Sequence, residues 1–515
     1  MNNLSITSYS SVDKSSLFDF YWIKDWFNNF KTKRKAKKSK MDKHFRYNFN
    51  NIRIKNKFTI ILLIYLTIVL IAGLLLAIPG VVTNSEYSWN YLYSLFNASS
   101  AFSDTGLSIP NASADYSIFG QILILILIQL GGFGVLTLKI VIWSAWGKKP
   151  DIQEIKLANE ERGNNDLGKT VKLIKETALF LLILEAISTS LTFIIFFFYQ
   201  PDSVVIDNPY HNVGYSFWFA LFHSISALNN AGFDIVGNNS FQPYNHCYSL
   251  QFIIIFDFVI GGIGFPAFYE IKNWRKDEQK NRTLSLFSKV NIVSYLLISF
   301  VGLAIIFSIE YSHQSSSVIL QEADTNWNGF MAILFNTLST RNAGFSTVDT
   351  SNFLNASLLT QSLLMFIGSA PSSTAGGIRT TTFAIVVMFI ITKLKGKKDL
   401  VMFKKQISKD TVNQSFSVFA TGFVLVFIGS IFILAFNPDV SFIGTFFLVT
   451  SSFGTTGLNI MDTTHMKELG GPCLLLIITL MFIGQLGVSN TLLSWSNNKQ
   501  PTTNFHYPEE TIKIG

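Results

Sequence analysis

Four short polar stretches hold the residues best placed to do chemistry: "SSAFSDTGLSI" (99–109), "SISALNNAGFDI" (224–235), "TLSTRNAGFSTV" (337–348) and "SSFGTTGLNI" (451–460). Each is built of Ser, Thr, Asn and Gly around one glycine. Those glycines, Gly106, Gly232, Gly344 and Gly457, follow one another at intervals of 126, 112 and 113 residues. A membrane-embedded enzyme would need a nucleophile with its base, or a metal-ligand constellation. The chain has no HExxH, no GxSxG, no GxGxxG after a strand and no Walker A sequence. What a glycine-centred loop can present is its own backbone. Glycine reaches φ > 0 without a steric penalty, so successive carbonyls can turn to one side. A ring of such carbonyls replaces the hydration shell of a cation.

The elements that must hold these loops are read from hydropathy. The chain has 515 residues, 49% hydrophobic and 14% charged, against about 25% charged in ordinary soluble proteins; its mean hydropathy is +0.35. Apolar runs of the ~20 residues that cross a bilayer lie at 58–80, 118–143, 177–199, 251–269, 289–309, 415–437 and 473–495. An eighth run, 358–392, is broken by "GSAPSSTAGGIRTTT" (368–382), where Pro371 and the Gly376–Gly377 pair stop a helix. Each polar stretch falls between two runs, so the repeat is span, re-entrant loop, span, four times over. Irregular backbone at membrane depth is tolerated only in a protein-lined or water-lined cavity. The residues before each glycine, 89–100, 215–226, 328–339 and 444–452, predict short pore helices. Their C-terminal ends carry partial negative charge toward the loops, which favours a cation. The expected fold is therefore an all-α polytopic membrane protein: four membrane–pore loop–membrane units around a central pore, with eight spans, one of them broken, and four pore helices. The expected divisions are a basic, amphipathic N-terminus (1–57), units at 58–147, 148–274, 275–396 and 397–495, and a polar tail (496–515).

Lys and Arg set the orientation. Within the units, between first and second spans, only Arg341 and Lys467 occur, while the segments between units are rich in both. By the positive-inside rule the termini and inter-unit loops are cytoplasmic and the re-entrant loops enter from outside. The run "KTKRKAKKSK" (31–40), just before the first span, is read as an anchor to anionic lipid rather than to nucleic acid. "LFDFYWIKDWFNNF" (17–30) sets Phe18, Trp22, Trp26 and Phe30 at i, i+4 spacing, as an interfacial amphipathic helix or a packing face for a partner protein. Cys247 and Cys473 are read as free thiols.

With four such loops in register and "APSSTAGGIRTTTF" at 370–383, the chain resembles the superfamily of potassium transporters that includes TrkH, KtrB and plant HKT proteins. The resemblance covers residues 58 to about 495. Absence of the two additional N-terminal spans of TrkH-type subunits favours the KtrB-like branch. It implies potassium uptake across the cell membrane by the ion-translocating subunit of a Trk/Ktr-type system. It implies a selectivity filter at Thr105, Gly106, Ala231, Gly232, Ala343, Gly344, Thr456 and Gly457, with potassium as the ion bound there and no organic cofactor in this chain. It implies a gate below the filter at Ser369, Ala370, Pro371, Ser372, Ser373, Thr374, Ala375, Gly376 and Gly377. In many relatives an arginine of the last span restrains that gate; the matching residue here is Gln485, which brings no charge. The family further implies a homodimer and a cytoplasmic ring of RCK-type nucleotide-binding regulatory subunits.

Alternatives remain at several positions. A sodium-translocating or sodium-coupled member of the superfamily would be marked by Ser in place of a filter glycine, and all four are Gly. An inverted-repeat secondary transporter conflicts with four units entering from one side. The glycines of "QLGGFG" (129–134) and "IGGIGF" (260–265) read as sites of close helix packing. Asp104, Asn230 and Asn342 are candidates for the pore mouth; Asp104 either attracts cations or braces its loop, and an Asp104–Arg341 contact is expected. Arg379 is expected at the cytoplasmic boundary. Glu185 and Asp257 lie within spans, as functional acids or as hydrogen-bond partners between helices. His223, in a pore helix, reads as packed rather than metal-binding.

Overall fold

A computed structural model describes residues 57–145, 170–237, 240–274, 284–371, 373–461, 463–488 and 491. The basic run 31–40, the helix expected at 17–30, the polar tail and Ser372 lie outside them.

The long helices carry the first apolar run of each repeat. α1 is Lys57–Leu76, α5 Thr170–Phe198, α9 Leu286–Ser312 and α13 Lys409–Phe436, the first long helix of each repeat. Three helical stretches, Ile174–Phe198, Leu286–Ser312 and Lys409–Phe436, are long and apolar enough to cross a membrane by length and composition. Leu182, Ile183, Phe300, Val301, Phe427 and Ile428 are exposed on them; such an apolar outer face suits hydrocarbon, and water would oppose it.

Four shorter helices follow the long ones: α2 (Tyr91–Phe102), α6 (Val213–Leu228), α10 (Asn326–Ser339) and α14 (Phe442–Gly454). Polar residues start them. The side chains of Asn90, Asn212, Thr325 and Ser441 each accept a backbone N–H of the first turn. These are the helices expected before the glycines, the first shifted by two residues and the other three longer by a few.

The second long run of each repeat departs from the sequence reading. One interruption was expected; the structure has four. α3 (Ile118–Phe133) is separated from α4 (Val135–Ala145) by Gly134 at φ 76. α7 (Tyr248–Ile263) is separated from α8 (Phe265–Trp274) by Gly264 at φ 87. α11 (Asn355–Phe366) and α12 (Thr380–Leu394) flank the long break, and α15 (Gly471–Leu486) ends at Gly487, φ 84. The packing role read for the adjacent glycines also holds. A methyl on Gly131 would lie 2.1 Å from Phe102 O, one on Gly261 2.3 Å from Leu228 O, and one on Gly484 2.1 Å from Phe453 O. Each of these helices thus presses backbone to backbone against the C-terminal end of the short helix of its own repeat.

The helices also close on one another. α3 packs on α6, α7 on α10, α11 on α14, and α15 on α2. Each second helix meets the short helix of the next repeat, and the fourth returns to the first. A small antiparallel hairpin, β1 (Val401–Met402) with β2 (Lys405–Gln406), joins α12 to α13. Cys247 and Cys473 are free and buried.

Candidate functional site

Each short helix delivers its chain into a glycine loop by the same steps. Its last residues hand a hydrogen bond forward: Thr105 N donates to Ser100 O at 2.9 Å, Ala231 N to Ser226 O at 2.8 Å, Ala343 N to Ser339 O at 2.8 Å and Thr456 N to Ser451 O at 2.9 Å. The residue just before these four is left-handed in every loop: Asp104 (φ 51), Asn230 (φ 56), Asn342 (φ 72) and Thr455 (φ 50). The glycine after them is again at positive φ: 91 at Gly106, 69 at Gly232, 79 at Gly344 and 93 at Gly457. Only glycine tolerates this conformation without strain.

The four glycines form a ring. A methyl on Gly106 would lie 2.6 Å from Ala231 O, on Gly232 3.0 Å from Ala343 O, on Gly344 2.2 Å from Thr456 O, and on Gly457 2.1 Å from Thr105 O. The carbonyl preceding each glycine therefore lies against the glycine of a neighbouring loop, in chain order and back to the start. Four carbonyl oxygens gathered this closely can take the place of water around a small cation. The four short helices converge on the ring with their C-terminal, partially negative ends.

Beyond the glycines lies a cavity of about 720 Å³, lined by Gly106, Gly232, Gly344 and Gly457 and by the carboxylates Asp115, Asp234 and Asp349. Among the described residues that line it there is no Lys or Arg, so the field at its floor is negative and draws cations. Asp115 and Asp349 also hold their loops: Asn111 N donates to Asp115 Oδ2 at 2.7 Å and Ser351 N to Asp349 Oδ1 at 2.9 Å.

On the other side of the ring the break between α11 and α12 crosses the molecule. Ser369, Ala370, Thr374, Ala375, Gly376 and Gly377 are buried, while Pro371 and Ser373 are half-buried. Its two ends are stitched together by Ile378 N donating to Phe366 O at 3.2 Å and Thr380 N to Ser369 O at 3.1 Å. Ala370 N donates to Gly262 O at 3.1 Å, fixing the segment to the end of α7. Arg341, fully buried, spends its guanidinium on the end of α11: it donates to Leu364 O at 3.1 Å, to Gly368 O at 2.8 Å and to Ile367 O. It also lies over the Tyr295 ring, 5.3 Å from the centroid. The expected Asp104–Arg341 contact is therefore absent. A helix cut short at Phe366 leaves carbonyls without partners, and the arginine supplies them.

Asp104, Asn230 and Asn342 are not at the mouth. All three are fully buried, do not line the cavity, and turn to the opposite side of the ring. Asn230 Oδ1 accepts Thr374 Oγ1–H at 3.2 Å, and Asn342 Oδ1 accepts Ser369 Oγ–H at 3.0 Å. Thr455, the fourth left-handed residue, accepts Gly376 N–H at 2.8 Å. Thr455 escaped the sequence reading because threonine seldom adopts φ > 0; its place two before Gly457, level with the other three, was the available signal. Asp104 Oδ2 accepts the Gln485 side-chain N–H at 3.4 Å. Gln485 thus meets Asp104 with its amide, and meets the intramembrane segment only through its backbone oxygen, which accepts Arg379 Nη2–H at 3.3 Å. Arg379 also donates to Ala375 O. The positive charge beside this segment comes from the segment's own end.

The acids within spans are bonded between helices. Gln129 Nε2 donates to Glu185 Oε1 at 2.9 Å, and Ser188 Oγ donates to Asp257 Oδ2. His223 is buried; its Nδ1–H donates to Phe219 O at 2.7 Å and its Nε2 accepts Ile235 N–H at 3.2 Å, tying the short helix to the loop beyond Gly232. Among the described residues no cluster of His, Cys, Asp and Glu could hold a metal ion.

Known proteins resemble this chain in sequence and in fold. The family model TrkH, described as cation transport protein, matches residues 33–506. The chain is 31% identical over 457 residues to Ktr system potassium uptake protein D of Bacillus subtilis, covering 88% of this chain and 96% of the relative. It is 31% identical over 451 residues to Ktr system potassium uptake protein B of the same organism, covering 88% and 95%. The crystal structure of the potassium transporter TrkH from Vibrio parahaemolyticus superposes with a TM-score of 0.65 at 15% identity, over 87% of this chain and 86% of that one; at that identity the likeness is one of fold.

Proposed function

The chain belongs to the TrkH family of cation transport proteins, integral membrane proteins, and on that premise we propose that it carries potassium into the cell as the channel-like subunit of a Trk/Ktr-type system. The observation that carries this reading is the closed ring in which the carbonyl before each of four glycines abuts the glycine of a neighbouring loop. In this reading Thr105, Ala231, Ala343 and Thr456 offer carbonyls to a dehydrated potassium ion, with the glycines allowing the backbone to turn. The acidic cavity is the outer vestibule that concentrates cations. Residues 369–377 are the gate: small, polar groups that obstruct the water path below the ring and bind no ion strongly. The relatives named for a Ktr system imply further subunits. Here those are a second copy of the chain and RCK-type nucleotide-binding subunits on a basic cytoplasmic face, in a plasma membrane with both termini inside. A sodium-translocating or sodium-coupled variant is the rival, and glycine at all four positions speaks against it.

The test is growth and ion content of cells lacking their own potassium uptake, expressing this chain with and without a candidate cytoplasmic partner. Restored growth at low external potassium, with potassium accumulating ahead of sodium, is expected. Sodium accumulation without potassium would select the rival, and no cation uptake with confirmed membrane insertion would overturn both.

A further inference from the structure

The two functional parts, ring and gate, are not separate in this molecule. Four residues occupy one equivalent place, immediately below the ring, and all four are non-glycine residues held at positive φ: Asp104, Asn230, Asn342 and Thr455. Asp and Asn tolerate a left-handed backbone, whereas a β-branched threonine there is strained, and such a conformation persists where surrounding bonds over-determine it. Here three of the four side chains bond the same short segment. Asn230 takes Thr374 at 3.2 Å, Asn342 takes Ser369 at 3.0 Å and Thr455 takes the N–H of Gly376 at 2.8 Å. Ser369 Oγ also lies 3.1 Å from Arg341 O, so its contact with the third loop is doubled. The first loop is joined indirectly, through Gln485 and Arg379: Asp104 to the Gln485 amide, Gln485 O to Arg379, and Arg379 to Ala375 O. On their other side, Asn230 Nδ2 donates to Phe258 O at 3.1 Å and Asn342 Nδ2 donates to Gly454 O, anchoring them to α7 and to the end of α14.

We infer that Asn230, Asn342 and Thr455 are positioning residues that couple gate to filter, so that moving residues 369–377 changes ion discrimination as well as flux. The inference rests on reading the ring as a potassium filter and the segment as its gate. Its physical content is simple. The bonds that hold the segment across the pore are the bonds that hold three loop residues in their left-handed conformation. Withdrawing the segment removes those acceptor contacts together. The backbone just before Thr105, Ala231, Ala343 and Thr456 is then free to relax, and the carbonyls it aims lose their register.

The experiment uses the full chain reconstituted in liposomes, with potassium and sodium influx measured in parallel. The Ser369→Ala, Thr374→Val double variant removes two hydroxyl donors without adding bulk. Thr455→Val keeps the shape of threonine and removes the acceptor; Thr455→Ser keeps the acceptor. Thr360→Val, at an exposed hydroxyl that bonds only Ala356 O in its own helix, is the control. The double variant and Thr455→Val are expected to raise flux and to lower the potassium-to-sodium ratio by about tenfold, the scale of one or two lost buried hydrogen bonds. Thr455→Ser and Thr360→Val should keep the wild-type ratio. Higher flux at an unchanged ratio in both altered proteins would overturn the coupling, as would no change in either quantity. If the double variant fails to insert, the Thr455→Val and Thr455→Ser pair decides alone. A wild-type chain with no potassium preference would overturn the potassium reading itself, an outcome seen before any variant is compared.

Discussion

Gly457 shows how much rests on single atoms. A side chain there meets Thr105 O at 2.1 Å and sits at φ 93, so Gly457→Ser must push the neighbouring carbonyl out of the ring. We expect the potassium-to-sodium flux ratio to fall about tenfold or more with membrane insertion retained; a ratio equal to wild type would remove Gly457 from the ion path. Loss of a few kcal/mol of differential coordination is enough, because each 1.4 kcal/mol is a factor of ten. Arg341 is a second case. Its guanidinium serves the carbonyls of Leu364, Ile367 and Gly368. Arg341→Met relieves the cost of a buried charge but strands those acceptors. Unpartnered buried groups cost about 1–3 kcal/mol each, so a net loss of about 2–4 kcal/mol is expected, read as a lower unfolding midpoint in detergent. An unchanged midpoint would mean water takes over the carbonyls. Residue identity made the glycines legible from spacing alone. It did not reveal where Arg341 points, since its partners are backbone oxygens some 23 to 27 residues away.

At the scale of elements, the second helix of every repeat is interrupted. The sequence disclosed only the break marked by Pro371 and paired glycines. A single glycine in an apolar run costs about 1 kcal/mol of helix propensity, too little to predict a break at Gly134, Gly264 or Gly487. What selects the break is packing. Gly264 lies at φ 87, and a methyl there would be 2.9 Å from Pro371 O, so this helix end is shaped by the intramembrane segment beside it. Gly396, at φ 69, has nothing within 4 Å of the same position. The pair separates strain from contact. Gly264→Ala and Gly396→Ala should each lose about 1–2 kcal/mol through the left-handed backbone, while Gly264→Ala alone should displace the segment and alter basal flux. Equal flux effects from both would show that the contact with Pro371 has no functional consequence.

The whole molecule closes four repeats into one ring and sets an acidic cavity over it. Asp234 and Asp349 line that cavity. Replacing both with Asn keeps an acceptor oxygen at each and removes the charge of Asp349 together with the partial charge of Asp234, whose pKa burial pushes up to about 7. Potassium influx should fall more at low ionic strength than at high, because screening already weakens the field at about 0.1 M salt; an equal fall at both would assign the carboxylates a local role. Elsewhere His246 joins separate loops, with Nδ1 2.9 Å from Asp202 and Nε2 3.0 Å from Asp324. Hydrogen bonding to Asp202 raises its pKa above the ordinary histidine value, and both carboxylates add to the effect against partial burial. A raised pKa stabilises the folded form below the unfolded value of about 6.5, and that contribution is lost as pH rises through the folded value. Hydrogen exchange around residues 242–248 should therefore be slower in wild type than in His246→Gln at pH about 6, with the difference gone by pH about 9. A difference that persists at the higher pH would mean a neutral imidazole suffices.

Sequence by itself determined the class of the molecule and the identity of its repeated part. Charge depletion and apolar runs require a bilayer, and the recurring glycine after Thr or Ala marks one loop per repeat, because only glycine fits a conformation that local sterics deny to other residues. Those are one-dimensional properties, written into composition and spacing. Which way the side chains beside the glycine ring turn was decided only in three dimensions. Asp104, Asn230 and Asn342 looked like mouth residues because they are polar and precede the ring. The left-handed turn instead carries their side chains inward: Asn230 and Asn342 meet the same segment, up to 144 residues along the chain, and Asp104 meets Gln485, 381 residues away. Gln485 stands where a latch was expected, yet its amide goes to Asp104 while Arg379 takes its carbonyl. Such pairings depend on which repeat lies next to which, and that order exists only once α15 has packed on α2 and closed the ring.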